Sequence, residues 1–263
     1  MNIWQAVILG AVQGFAEFLP VSSSGHLILV QRWLGVNPDG GLFFDVMLHV
    51  GTLIPVCIVL FREIIGLFKK PFDKLLFLVI ATIPAGIAGM LLQDKIEGYF
   101  MGGDMLAAVL LAVTFLITAA ELFLSERLVK KQSESLPLSY KSSLVMGIFQ
   151  AAAIVPGLSR SGTVLTGGTL CKLDRERNAK FTFLMSIPVI LGAAAVSAYK
   201  AVKGGAEIDV IPVLFGMLTA AVTGYIAVKL MLAVIKKAKY KWFSLYLVII
   251  ATASILTKVL FNA

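Results

Sequence analysis

Gln13 and Glu17 interrupt an otherwise apolar stretch near the start of the chain. Four residues apart on a helix, they share one face. A carboxylate in so apolar a setting is costly to bury and normally faces a partner or a polar cavity. A structural hydrogen bond to a neighbouring helix would satisfy the pair, but a functional site is the favoured reading. Pro20-Val21-Ser22-Ser23-Ser24-Gly25-His26 follows directly. Serines after a proline commonly cap the next helix. His26 adds a second possibility: if a helix starts near Ser22, then Ser22 and Ser23 lie four and three residues before it, on its side. A hydroxyl within reach of an imidazole is the signature of an activated nucleophile.

Pro156-Gly157-Leu158-Ser159-Arg160-Ser161-Gly162-Thr163 is the stronger element. Small residues around an arginine expose backbone N–H groups and place two hydroxyls and a guanidinium in one turn. A helix N-terminus there would add positive potential. The combination suits a phosphate, whose oxygens the fork-shaped guanidinium takes two at a time. A salt bridge from Arg160 to Glu17 is the competing structural role, and the two roles are compatible. Other polar residues carry less. Asp45 and His49 form another four-residue pair, for which packing or lining a cavity is favoured over catalysis. Asp174-Arg175-Glu176-Arg177 alternates in sign and reads as a solvated loop face. Cys57 and Cys171 lie in apolar stretches and read as buried, reduced and structural. No Walker loop or HExxH zinc helix occurs.

These residues must be positioned by an unusual chain. Of its 263 residues 59% are hydrophobic and only 14% charged, where a soluble domain carries roughly a quarter charged residues. With a mean hydropathy of +0.92, the chain has too few polar side chains to cover a water-facing surface. This excludes an ordinary soluble enzyme, a disordered protein and a disulfide-rich secreted module, and makes the chain an integral membrane protein. Apolar blocks run at about 42–61, 75–92, 104–124, 181–199, 210–232 and 243–261, each adequate to cross a bilayer as a helix. The net charge of +8 comes from lysines and arginines in short connections, which reads as topology rather than nucleic-acid binding. Four basic residues occur in each of 62–74, 127–141, 172–180 and 236–241, but one in 93–103 and two in 200–209. The rich connections are expected on the cytoplasmic side. The N-terminus lacks a basic n-region, so it is expected to be retained.

Residues 142–171 begin and end beside basic connections, so they cross an even number of times or dip in and return. A self-comparison explains this. Gly10-Ala-Val-Gln13 matches Gly147-Ile-Phe-Gln150 at an offset of 137, and Ser22 to His26 falls on Ser159 to Thr163. Phe44 falls on Phe181, and Pro20 and Pro156 precede the serines one residue out of register. Each half, about 1–125 and 138–263, then holds one Ser-rich segment and three spans. An odd number inverts the second half. The expected fold is an all-α integral membrane protein forming one polytopic domain over 1–263. It is an inverted-topology repeat with about six transmembrane helices plus two re-entrant helical hairpins, at about 5–36 and 142–171. Their tips meet inside the membrane, because broken backbone is tolerated there only within protein or beside a polar cavity.

Gln13-x3-Glu17, Pro20-Val-Ser-Ser-Ser-Gly-His26 and Pro156-Gly-Leu-Ser-Arg-Ser-Gly162 resemble the two signature motifs of the bacterial undecaprenyl-diphosphatases, the bacitracin-resistance proteins. The resemblance implies a membrane phosphatase that converts undecaprenyl diphosphate to the monophosphate carrier lipid used for cell-wall polymers. It implies a divalent cation, Mg2+ or Ca2+, held by Glu17 and Gln13, and a site facing the extracytoplasmic side of the bacterial inner membrane. Its partners would be the polyprenyl diphosphate and membrane lipid, with a homodimer allowed and nucleic acid absent. Ser23, His26, Arg160 and Glu17 then carry catalysis, with Ser23 deprotonated by His26 or water attacking directly. Ser22, Ser159, Arg160, Ser161, Gly162 and Thr163 would hold phosphate. One position departs from the pattern: Val164 stands where the family has a threonine, with Thr163 and Thr166 nearby. The alternative function is a transporter or flippase for a polyprenyl phosphate or another anion, which an inverted repeat with broken helices also suits.

Overall fold

A computed structural model describes residues 1–36, 42–203, 209–237 and 239–261. Eleven helices cover most of the described residues, and the single β-bridge among them, Leu136 with Leu173, is isolated. Five helices are long and apolar enough to cross a membrane: α5 (Asp73–Met101), α6 (Met105–Lys131), α9 (Arg175–Lys203), α10 (Val210–Lys237) and α11 (Lys241–Phe261). A sixth would be α3 (Leu42–Val59) counted together with α4 (Phe61–Leu67), the two bent by 86° at their junction. The chain is a multi-pass membrane protein. The block expected at 42–61 is therefore not straight to its end. It turns at Leu60, and α4 leaves Phe61, Ile65 and Phe68 exposed beside Arg62 and Glu63, the composition of a helix lying along a membrane surface.

The remaining four helices form two short pairs. α1 (Ile3–Phe18) opens with a capping box between Asn2 and Gln5 and stops before Pro20, and α2 (Ser23–Trp33) restarts on an Ser22 cap. α7 (Tyr140–Ala152) opens with a capping box between Ser139 and Ser142, and α8 (Arg160–Leu170) restarts on an Ser159 cap. Proline lacks the N–H that would continue each helix. The sixteen residues of α1 span about 24 Å, short of the roughly 30 Å hydrocarbon core. α8 begins 137 residues after α2, and α10 begins 137 residues after α5.

Contacts at the helix ends sort the connections onto two faces. Lys180 pairs with Glu63 at 2.9 Å, the Lys241 amide donates to Glu126 at 2.7 Å, and Leu136 N–H donates to Lys172 O at 2.9 Å. The four basic-rich connections thus share one face. On the other, Lys200 pairs with Asp94 at 2.9 Å and Arg32 Nη2 donates to Phe100 O at 2.8 Å. The α1–α2 pair therefore enters from the basic-poor face and α7–α8 from the basic-rich one. The 200–209 connection lies partly outside the described residues, at 204–208.

Close packing brings the hairpins to their neighbours. α1 lies along α10 and α7 along α5, at small residues: a Cβ on Gly14 would stand 2.5 Å from Ala220 O, and one on Gly147 2.7 Å from Ala81 O. Small residues are how membrane helices let backbones approach. The two tips meet at Gly25 and Gly157, where a Cβ on Gly25 would stand 3.0 Å from the Gly157 Cα. Gly157 also has φ +88° and Thr114 against the place of its missing Cβ, so only glycine fits. Outward faces stay apolar, with Ile83, Met90, Leu218 and Ile226 exposed. That explains one correction: Cys57, expected to be buried, is exposed, and Cys171 is half-buried. An apolar stretch in this solvent can face lipid as readily as a core.

Candidate active site

The last turn of α1 and the first turns of α2 and α8 converge on Glu17. Its side chain is 3% exposed. Gln13 Nε2 donates to Oε2 at 2.9 Å and Ser23 Oγ donates to the same oxygen at 2.8 Å. Arg160 Nη2 donates to Oε1 at 2.7 Å, from 143 residues away in sequence. His49 Nε2 stands 3.5 Å from Oε2, and Arg160 Nη1 reaches Thr182 O at 3.3 Å. A buried carboxylate is tolerable only when so paired. The group faces a cavity of about 220 Å3 whose wall includes Glu17, Ser23, His49 and Arg160. Leu27, Ile28, Val189 and Ile190 make part of its apolar side.

His26 is placed elsewhere. Its Nδ1 lies 2.8 Å from Ser22 O and its Nε2 2.7 Å from the Tyr246 hydroxyl. A carbonyl can only accept, so Nδ1 carries a proton toward Ser22. The ring stacks on Tyr246 at 5.6 Å and meets Phe115 edge-on at 5.4 Å. The expected Ser23–His26 pair is thus replaced by a Ser23–Glu17 pair. The reason is local: Ser22 adopts φ +71° and caps the helix, so Ser23 opens α2 facing α1, while His26 turns one turn later toward α6 and α11.

The residues expected to hold phosphate divide the same way. Arg160 lines the cavity; the other five do not. Ser22 Oγ accepts the Gly25 N–H at 3.3 Å and Ser159 Oγ accepts the Gly162 N–H at 3.1 Å, each capping its helix. Ser161 Oγ donates to Leu19 O at 3.1 Å and ties the two tips together. Gly162 packs under Pro20. Thr163 Oγ1 donates to Glu121 at 2.7 Å. Free helix ends inside apolar protein must be satisfied, and the Ser22 and Ser159 hydroxyls do that first. Val164 is fully buried, and Thr166 bonds Gly162 O and Ser125, so neither nearby threonine enters the cavity.

Asp45 and His49 line the cavity, one of the two roles their spacing favoured, with Asp45 Oδ1 accepting from Gln31 Nε2 at 2.7 Å. Other lining residues were not singled out from the sequence. Gln93 and Glu97, near the C-terminal end of α5, line it too and bond each other at 2.8 Å. Their spacing repeats the Gln-x3-Glu of Gln13 and Glu17, a signal that was available. Gln150 is a further lining residue. Among the described residues no group of three or more His, Cys, Asp or Glu is placed to hold a metal. The oxygen of the Gln13 amide is buried without a protein partner, while its Nε2 is the atom that meets Glu17.

The family model "Bacitracin resistance protein BacA" matches residues 6–253. The chain is 41% identical over 250 residues to a protein of Carboxydothermus hydrogenoformans named undecaprenyl-diphosphatase, covering 94% of each. It is 40% identical over 267 residues to one of that name from Methanobrevibacter smithii, again covering 94% of each. It is also 40% identical over 248 residues to undecaprenyl-diphosphatase 4 of Bacillus cereus, covering 94% of this chain and 93% of the relative.

Proposed function

This chain belongs to the bacitracin resistance protein BacA family, and on that premise we propose that it hydrolyses undecaprenyl diphosphate to undecaprenyl phosphate and inorganic phosphate. Its product returns the carrier lipid to peptidoglycan and other cell-wall synthesis, and removal of the diphosphate confers resistance to bacitracin. The observation that carries the assignment is the Arg160–Glu17–Ser23 set at one wall of a cavity that is otherwise largely apolar. A guanidinium fork matches phosphate oxygens. The apolar wall suits the start of a polyprenyl chain.

Before substrate enters, Arg160 and Glu17 satisfy each other. A diphosphate competes for the guanidinium, and as Arg160 turns to it, Glu17 is free to take a proton. Ser23 Oγ, already donating to Glu17, attacks the terminal phosphorus in line. Its proton passes to Glu17 Oε2, and the bond to the bridging oxygen breaks, releasing undecaprenyl phosphate. Glu17 gives that proton to the departing phosphate, and water then hydrolyses the phosphoserine, its proton passing to Glu17 and from there to Ser23 Oγ as the serine leaves. Most of the rate gain comes from stabilising charge on the phosphoryl oxygens, the usual division of labour in phosphoryl transfer. A divalent cation, when present, would be held by Glu17 and the Gln13 carbonyl oxygen. When bound, that cation neutralises charge on the diphosphate.

We place the protein in the bacterial cell membrane, with the basic-rich face cytoplasmic. Gln93, Glu97 and Met101 bring the cavity toward the basic-poor face, which supports access from the extracytoplasmic side. We read the halves 1–125 and 138–263 as an inverted duplication, which the recurring helix starts support.

Two measurements test the site. Purified protein in detergent should release inorganic phosphate from a polyprenyl diphosphate, and chelation with EDTA should remove most of that activity until magnesium or calcium is restored. Undiminished turnover in EDTA would overturn the cation assignment, and lipid transfer between vesicles without phosphate release would overturn the phosphatase. Second, His26 acts by holding the hairpin tip. Tyr246→Phe should cost about 1 kcal/mol of stability from one lost hydrogen bond and less than about tenfold in kcat/KM. A thousandfold loss in a normally stable variant would restore His26 as the base.

A further inference from the structure

Gln150 occupies the place in the second hairpin that Gln13 occupies in the first, 137 residues on. The two amides have different surroundings. Gln13 Nε2 donates to Glu17, four residues later. Four residues after Gln150 stands Ile154, which offers no acceptor. Gln150 is 2% exposed, and both its Nε2 and Oε1 lack a hydrogen-bond partner. It nonetheless lines the same cavity as Glu17, Ser23 and Arg160, as does Ile154. Buried polar groups are paired in the great majority of cases, and a native exception calls for a reason. Here the unsatisfied amide is closed off at rest, but it belongs to a residue that borders the space a substrate would fill, the same space that Arg160 lines.

We propose that Gln150 is a substrate-binding residue, donating its Nε2–H groups to a non-bridging oxygen of the diphosphate. This rests on the phosphatase reading above and extends it. The second hairpin would contribute two donors, Arg160 and Gln150, where the first contributes the carboxylate and the nucleophile. Ser24 belongs to the same wall and donates no competing group to this amide, since its Oγ faces the Gly157 N–H at 3.4 Å and Ser22. A neutral amide at this position adds affinity and orientation without adding charge, so its effect should fall on substrate binding more than on the chemical step.

The test compares wild type with Gln150→Met, which preserves length and removes both polar atoms, and with Gln150→Asn, which withdraws the amide by one methylene. Phosphate release from a polyprenyl diphosphate is followed over a range of substrate, with inorganic diphosphate as a competitive inhibitor. Both variants should raise KM about tenfold or more with kcat within about threefold, since hydrogen bonds to charged groups are among the stronger ones. The inhibition constant of inorganic diphosphate should rise by the same factor. A KM within twofold of wild type in either folded variant would overturn the inference while leaving the phosphatase intact. A raised KM with unchanged inhibition by inorganic diphosphate would also overturn it, by placing the contact on the lipid. If wild type releases no phosphate, the phosphatase reading falls and this one with it, whereas an active wild type with unchanged KM in the Gln150 variants overturns this one alone.

Discussion

Arg160→Ala is expected to lower kcat/KM by at least about a thousandfold, the usual consequence of removing a group that stabilises phosphoryl charge. Arg160 is held by Glu17 at 2.7 Å in a site where the carboxylate is 3% exposed, so its loss has a second effect. The carboxylate would remain buried without its main counter-charge, which costs about 3–5 kcal/mol when one partner of a buried pair is removed. Stability and activity can be separated by Glu17→Gln combined with Arg160→Ala. The double variant should regain much of the lost thermal stability, because no charge is left unpaired, and should regain no activity. Arg160→Lys keeps the charge without the fork and should fall between. Turnover by Arg160→Ala within tenfold of wild type would sink the phosphate-clamp assignment.

Ser23→Ala should be similarly damaging, by at least about a thousandfold in kcat, for a different reason: it removes the attacking atom rather than the charge that receives it. The contrast with Ser22→Ala is the informative part. Ser22 Oγ accepts the Gly25 N–H, so its loss should cost about 1 kcal/mol of helix capping and leave most of the turnover. Trapping the reaction with labelled diphosphate should place phosphate on Ser23 in wild type and on no residue in Ser23→Ala. A Ser23→Ala variant active to within tenfold would mean that water attacks directly, with Glu17 taking its proton. Substituting Glu17 would then still abolish activity, because either route needs the carboxylate.

How far the sequence could be read is clearest at particular residues. Glu17 and Arg160 are legible as a pair from sequence, because a carboxylate and a guanidinium in apolar segments have few ways to be satisfied. The six apolar blocks match α3, α5, α6, α9, α10 and α11 because the thickness of a bilayer leaves little freedom in span length. Alternation of basic connections placed the loops on opposite faces, and the end-to-end contacts through Lys180–Glu63 and Lys200–Asp94 sort them the same way. The bend at Leu60 and the exposure of Cys57 were not legible, and the Gln93–Glu97 spacing was legible without its place in the cavity. Hydropathy does not distinguish a face turned to lipid from one turned to protein.

Residue types and their spacing alone therefore determined the membrane class, the two broken hairpins and the chemical elements of the site, since each follows from the cost of exposing polar groups to hydrocarbon. Which hydroxyl meets which base was decided only in three dimensions. Spacing allowed Ser23 to approach either Glu17, six residues before it, or His26, three after it. The left-handed turn at Ser22 and the ring stack of His26 on Tyr246, 220 residues away, send the imidazole to one side of α2. They leave the Ser23 hydroxyl on the carboxylate. A preference between two local partners is settled by a distant third, and that information lies in the packing of α11 rather than in the motif.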